Sequence, residues 1–134
     1  MKASTTTLRL SALAASEIAA GYREGAFTPV DVARDVIDAV ETRNGELNAF
    51  ASFVPAEVVR DAEASAARFA AGEQRGPLDG VPVTVKENMH RVGVAYQSGT
   101  AAGAPEHPEE DNPAVERLVE DGAVIVGSTT MPDW

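Results

Sequence analysis

The stretch Gly-Pro-Leu-Asp-Gly-Val-Pro-Val-Thr-Val-Lys-Glu-Asn, residues 76–88, is the part of the chain on which its interpretation depends. It opens with a Gly-Pro pair and a second glycine, which are typical of a turn. The apolar run at 81–85 then predicts a buried strand, which Lys86 closes. A lysine there loses hydration in its charged form, so either its amine reaches water or its basicity is used.

Composition restricts the class of protein before any motif is considered. The chain has 134 residues, 44% of them hydrophobic, and a formal net charge of −10. That is enough apolar sequence for one domain or for part of a larger one. An acidic chain argues against nucleic acid or an anionic membrane as a partner, since both attract basic surfaces. The simplest meaning of the charge is solubility.

The cysteine content and the apolar runs of the sequence indicate where the protein is located and which kinds of site it can contain. The sequence has no cysteine, which excludes disulfides and thiolate metal sites. No apolar run approaches the about 20 residues that span a bilayer. Lys2 and residues 8–15 resemble a signal peptide only weakly, because Arg9 and Ser11 interrupt a short apolar core. We therefore expect a cytoplasmic protein without a membrane partner.

The first half of the chain predicts three helices and one short strand. The helix start signals are Ser11, Thr28-Pro29 and Pro55, and the stop signals are Gly25, Asn44-Gly45 and Gly72. A strand is expected at residues 48–54, between the second and third helices. The composition of these helices suits amphipathic cover for a sheet.

The second half of the chain predicts a parallel βαβ unit. Asn112 and Pro113 start a helix, Gly122 ends it, and the apolar run at 123–127 is a second buried strand. Buried strands joined by a crossover helix pair in parallel. The predicted fold class is α/β, with N-terminal helices followed by the start of a mixed or parallel sheet with helices on its faces. Two such strands do not complete a sheet, so we expect the domain to continue.

Lys86 is the main candidate for chemistry. Open parallel sheets bind ligands at the carboxyl ends of their strands, and a loop of small residues at 93–103 follows this one. A desolvated lysine there can act as a general base, whereas the alternative is an ordinary strand-end lysine with a solvated amine. His90 and His107 match no metal-ligand spacing, so we expect no metal and no cofactor. The sequence also lacks the Gly-x-Ser-x-Gly elbow of many Ser-His-Asp hydrolases.

Residues 76–88 resemble the segment that holds the catalytic lysine of the amidase signature family. The likeness continues through residues 111–118 and 122–133, and Leu47-Asn48-Ala49-Phe50 is similar to the family's opening segment. The resemblance implies that residues 1–134 are the N-terminal part of a single amidase-signature domain. Its parts would be a helical cap at 8–72 and, at 76–134, the start of the βαβ unit with the lysine strand.

The resemblance also implies a chemistry. In this family a serine attacks the amide carbon, and a second serine in a cis peptide passes the proton to the lysine, which matches Lys86 here. Backbone amides of a glycine-serine loop stabilise the oxyanion. Both family serines lie downstream of the position that matches Trp134, and Ser98 is not in their motif. Ser128 stands where many members have a basic residue, at a strand end away from the chemistry.

The sequence and the resemblance lead to two main hypotheses about function and to a third with less support. The first is the N-terminal segment of an amidase that acts on a small-molecule amide, or that transfers ammonia. This chain supplies only Lys86 and is expected to be inactive without the remainder of the domain. The second is a truncated, non-catalytic fragment, or one half of a split protein that needs a complementary chain. The third is an acidic interaction module.

Overall fold

The computed structural model of the protein describes residues 9–132, so Asp133 and Trp134 lie outside it. Its helices are a short 3-10 helix at Leu10–Ala12, α1 (Ala15–Glu24), α2 (Pro29–Leu47), α3 (Pro55–Ala71) and α4 (Pro113–Glu120). Its strands are β1 (Phe50–Phe53), β2 (Pro82–Lys86) and β3 (Val124–Thr129). They form a sheet in the order β1-β3-β2, in which β2 is parallel and β1 antiparallel to β3. This confirms the predicted α/β class and the mixed sheet.

Helices cover both faces of β3, the central strand of this sheet. On one face α2 and α3 pack against β3, where Ala33 and Val58 lie in one buried cluster with Val124. On the other face α4 packs against the sheet, and Val115 lies in a cluster with Ile125. A strand with both faces covered must be apolar throughout. This explains the unbroken burial of residues 123–127, which the apolar run predicted, and the polar Ser128 that follows is buried as well.

β2 is less buried than its sequence predicted. Val81 and Val85 are buried, but Thr84 and Lys86 are exposed. Within residues 9–132, β2 pairs with β3 on one side only and is therefore an edge strand. An edge strand with one well-covered face alternates between buried and exposed residues. The expectation of a fully buried strand was therefore wrong at Thr84.

Ser11 does not cap α1, contrary to the sequence prediction. It lies in the short 3-10 helix, where its amide donates to the Asp35 carboxylate at 2.7 Å. α1 begins at Ala15, and the carboxylate of Glu17 accepts a hydrogen bond from the amide of Ala14 at 2.7 Å. The hydrogen bond at the start of α1 is therefore made by a glutamate in its first turn, where a capping serine was expected.

The end of α2 also differs from the prediction, which placed it at residues 44–45. The helix continues to Leu47, and Asn48 then adopts a left-handed conformation with φ of 49°. The side chain of Asn44 accepts a hydrogen bond from the amide of Ala49 at 2.8 Å. Its polar group is therefore used to join α2 to β1 rather than to end the helix.

The predicted starts of α2 and α4 are confirmed. The Thr28 hydroxyl accepts from the amide of Asp31 at 3.2 Å, and the Asp31 carboxylate accepts from the amide of Thr28 at 2.8 Å. This reciprocal pair is a capping box. The side chain of Asn112 accepts from the amide of Ala114 at 3.0 Å.

In the described part of the chain, no helix combines the length and the apolar composition needed to cross a membrane.

Candidate functional site

Lys86 is the last residue of β2 and lies at the carboxyl end of the parallel pair, opposite Thr129 of β3. The amide of Glu87 donates to the carbonyl of Thr129 at 2.9 Å, and the Thr129 hydroxyl donates to the carbonyl of Val85 at 3.3 Å. These bonds fix the backbone on both sides of Lys86, while its side chain is exposed. The lysine therefore lies at the edge where open parallel sheets bind ligands.

A tight turn at residues 97–100 lies beside this strand end. The carboxylate of Glu87 accepts a hydrogen bond from the amide of Gln97 at 2.9 Å. Ser98 and Gly99 have φ of 51° and 74°, and two successive positive values are typical of a type I′ turn. Ser98, which lies outside the motif of the family's serines, is a turn residue here.

The same turn packs against the chain that follows β3. A β-carbon on Gly99 would lie 2.7 Å from the carbonyl oxygen of Met131 and 3.0 Å from that of Pro132. Such contacts leave no room for a side chain, so the backbone approaches closely because this residue is glycine. We call the surface formed by Lys86, Glu87, Thr129 and the turn at 97–100 the strand-end site.

The other residues considered from the sequence have different surroundings. His90 stacks on Tyr96 with ring centroids 4.3 Å apart, and His107 is exposed in a loop. Ser128 is buried within β3. Within residues 9–132, no three or more His, Asp or Glu side chains are grouped as metal ligands would be.

The loop that leads into β2 is held by a buried ion pair that was not predicted from the sequence. The carboxylate of Asp79 accepts from Nε and Nη2 of Arg68 at 2.8 and 2.6 Å, and from the hydroxyl of Ser65 at 2.7 Å. It also accepts from the amide of Arg75 at 2.8 Å. The sequence feature that could have predicted this pair is Asp79 itself, an aspartate between two glycines in a segment that is otherwise mostly apolar. Its partner arginine lies on α3 and could not be chosen from sequence.

The electrostatics of this pair keep Asp79 ionised. Burial acts to raise its pKa, but the hydrogen bonds from Arg68, Ser65 and the amide of Arg75, with the charge of Arg68, outweigh burial. The pKa of Asp79 is therefore below its ordinary value. The hydrogen bond to Asp79 is likewise the largest cause that raises the pKa of Arg68.

Further contacts tie the same loop to α1 and to the turn between α4 and β3. The buried hydroxyl of Tyr22 donates to the carbonyl of Gly80 at 2.9 Å, and burial raises the pKa of this phenol. The amide of Leu78 donates to the carboxylate of Asp121 at 2.8 Å. The amide of Gly80 donates to the carbonyl of Gly122 at 2.9 Å. These bonds fix the beginnings of β2 and β3 against each other. The register then shifts by one residue between Val83 and Thr84, so that Lys86 lies opposite Thr129.

The sequence of this chain is similar to those of known amidases and amidotransferases. The family described as Amidase matches residues 31–134. One subunit of the mitochondrial glutamyl-tRNA(Gln) amidotransferase of Ixodes scapularis is 34% identical over 122 residues, which are 91% of this chain and 24% of that protein. The indoleacetamide hydrolase of Bradyrhizobium diazoefficiens is 32% identical over 120 residues, 90% of this chain and 25% of that protein.

Solved structures show the same fold. The crystal structure of an amidase superposes on this chain with a TM-score of 0.81 and 29% identity, covering 89% of this chain and 27% of that one. The α/β fold, the lysine segment and the family match define one class of protein: the chain belongs to the Amidase family. It spans about a quarter of the length of the relatives that it matches.

Proposed function

We propose that this chain forms the N-terminal part of an amidase that hydrolyses carbon–nitrogen amide bonds, and that Lys86 is its proton-accepting base. The observation that supports this most is the position of Lys86. It lies at the carboxyl end of β2, inside the segment that the Amidase family matches. The expected substrate is a small-molecule amide.

The proposed mechanism divides the chemistry between this chain and the remainder of the domain. In its neutral form Lys86 accepts a proton from a bridging serine, which in turn accepts one from the serine nucleophile. The nucleophile forms a bond to the amide carbon, the carbon–nitrogen bond breaks, and the proton passes to the leaving amine. Water then hydrolyses the acyl-enzyme. Both serines would come from the remainder of the domain or from a complementary chain.

The strand-end site suits this division. The Lys86 side chain is exposed within the described part of the chain, so serines from elsewhere can reach its amine. Its backbone is held from both sides by β3 and by the residues that follow it. A fixed backbone with an accessible amine is what a base requires if the groups that it serves lie on another segment.

Substitution of Lys86 tests the proposed base in the native polypeptide that carries residues 1–134. Lys86→Ala should lower kcat for amide hydrolysis by about a thousandfold, the usual size of a general-base contribution. Lys86→Arg should not restore activity, because arginine remains protonated. Arg23→Ala, at an exposed position on α1, is the control. Activity of Lys86→Ala within tenfold of the control would contradict the proposal.

The 134-residue chain on its own should be inactive, since it carries the base without the family's nucleophile. A fluorophosphonate probe, which labels activated serines, should leave the purified chain unmodified. The readout is the intact mass before and after treatment. A labelled serine in this chain would show that it carries its own nucleophile.

A second candidate function is one half of a split protein, supported by large apolar side chains at the surface. Leu47 is 59% exposed and Val92 is 57% exposed. The mass of the native polypeptide that contains residues 76–88 separates the two candidates. A mass much greater than 14.0 kDa favours the N-terminal part of one long amidase. A mass of 14.0 kDa favours the split protein, and co-purification would then identify the complementary chain.

A further inference from the structure

A cleft of about 340 Å³ lies between α3, α4 and the beginning of β3. At and just before β3 it is lined by Gly122, Ala123 and Ile125, whereas Lys86 lies opposite Thr129 at the other end of this strand. The cleft is therefore separate from the strand-end site. Its charged lining residues are Arg60, Arg68, Arg75, Arg91, Asp61 and Asp111.

The cleft concentrates positive charge in an acidic chain. The whole sequence has only 11 basic residues and a net charge of −10, yet four arginines line this one cleft. Arg60 is paired with Asp61 and Arg68 with the buried Asp79. Within residues 9–132 neither of the other two arginines forms a salt bridge. Two guanidinium groups are thus available to an anion, apart from the one N–H that Arg75 donates to Val119, and they outnumber the one lining carboxylate without an arginine partner, that of Asp111.

Both available arginines lie on backbone that is held in place. Arg75 donates from its amide to Asp79 and from Nη1 to the carbonyl of Val119 at 3.3 Å. The segment that carries Arg91 is held by Asp111, whose carboxylate accepts from the amide of Val92 at 2.6 Å. A guanidinium on a fixed backbone loses less entropy when it binds an oxyanion, and its planar group of donors matches carboxylate and phosphate.

The remaining lining is apolar. Val115 and Ile125 are buried behind the cleft, while Val92 and Val119 are exposed at its surface. A pocket of a few hundred Å³ with an apolar lining and a few charged groups suits a small organic molecule. The charge selects an anion, and the valines select one with an apolar part.

We propose that this cleft binds a small organic anion, with its phosphate or carboxylate on Arg75 and Arg91 and its apolar part against Val92 and Val119. The site uses none of the residues of the proposed amidase chemistry. The proposal can therefore be tested independently of the amidase function.

The test is calorimetric titration of the native polypeptide that carries residues 1–134. The probes are phenyl phosphate, which has both features, inorganic phosphate, which has only the charge, and phenol, which has only the ring. Phenyl phosphate should bind most tightly, and its affinity should fall as salt is raised. Arg75→Gln and Arg91→Gln should each weaken it about tenfold, the usual effect of losing a charge-assisted hydrogen bond.

Two controls separate binding from folding. Arg23→Gln, on the exposed surface of α1, should leave the affinity for phenyl phosphate unchanged. Arg91→Lys, which keeps the charge, should bind better than Arg91→Gln. The proposal is overturned if phenyl phosphate shows no saturable binding, if Arg91→Gln binds as tightly as Arg23→Gln, or if phenol binds as tightly as phenyl phosphate.

Discussion

Two ion pairs that involve arginines of α3 show how strongly the contribution of an ion pair to stability depends on its burial. The carboxylate of Asp79 is fully buried, whereas Arg60 and Asp61 are 69% and 40% exposed. Removing one member of a buried pair leaves the other without a partner, at a cost of about 3–5 kcal/mol. An exposed pair contributes about 1 kcal/mol or less, because water competes for both groups.

Asp79→Ala should therefore lower the free energy of unfolding by about 3 kcal/mol. Arg68 loses its carboxylate, and Ser65 and the amide of Arg75 lose their acceptor. Asp61→Ala is the matched control and should cost less than about 1 kcal/mol. Urea denaturation at neutral pH measures both. Equal losses in the two variants would show that the Asp79 network is worth no more than a surface pair.

The same carboxylate makes stability depend on pH. Because the pKa of Asp79 is lower in the folded protein than its value of about 3.9 when unfolded, its ionisation stabilises the fold above that value. This contribution is lost as the pH falls through the folded pKa. The stability difference between the wild type and Asp79→Asn should be largest at pH 7 and shrink below about pH 5. A difference that is constant with pH would contradict this.

At the scale of helices and strands, the end of α2 shows why a local signal can mislead. Asn-Gly usually marks a turn, but here Asn44 bonds to the amide of Ala49 while the helix continues, and Asn48 adopts the left-handed conformation. Which of two nearby asparagines ends a helix depends on where the next strand must begin. That position is set by β3, far along the chain.

Gly45 therefore lies within a helix, where glycine is unfavourable. Gly45→Ala should raise the free energy of unfolding by about 0.5–1 kcal/mol. Gly25→Ala should instead lower it by about 1 kcal/mol, because Gly25 ends α1 with φ of 68°. A β-carbon meets open space at both positions, so only the backbone conformation differs. Thermal or urea unfolding measures both, and loss of stability in Gly45→Ala would contradict the helical assignment.

At the scale of the whole molecule, features encoded by neighbouring residues could be predicted and features made by packing could not. Proline and capping residues at Thr28, Pro55 and Asn112 marked three helices, and the apolar runs around Lys86 and at 123–127 marked the parallel pair. The pairing of β1 with β3 joins residues about 75 positions apart, and nothing local specifies it. The arginines of the cleft likewise converge only when α3, α4 and the loops pack.

The exposed apolar side chains give a prediction for the molecule as a whole. The 134-residue chain should bind a hydrophobic dye, because Leu47, Val54, Val92 and Val119 are between 42% and 59% exposed. A variant with Leu47→Gln and Val92→Gln should bind less dye without losing stability. The measurement is dye fluorescence during thermal unfolding of the purified chain. A monomer that unfolds cooperatively and without a dye signal beforehand would contradict the prediction.

The order of the strands has a consequence for how the protein is made. β3 lies between β1 and β2 in the sheet, yet it is the last of the three to leave the ribosome. At a translation rate of about 5–20 residues per second, on the order of 10 seconds pass between the synthesis of β1 and that of β3, the strand with which it pairs. Once β2 has also emerged, the nascent chain has two unpaired strands. A chaperone that binds extended apolar segments can therefore act until residues 124–129 have left the ribosome, when β3 can pair with both strands.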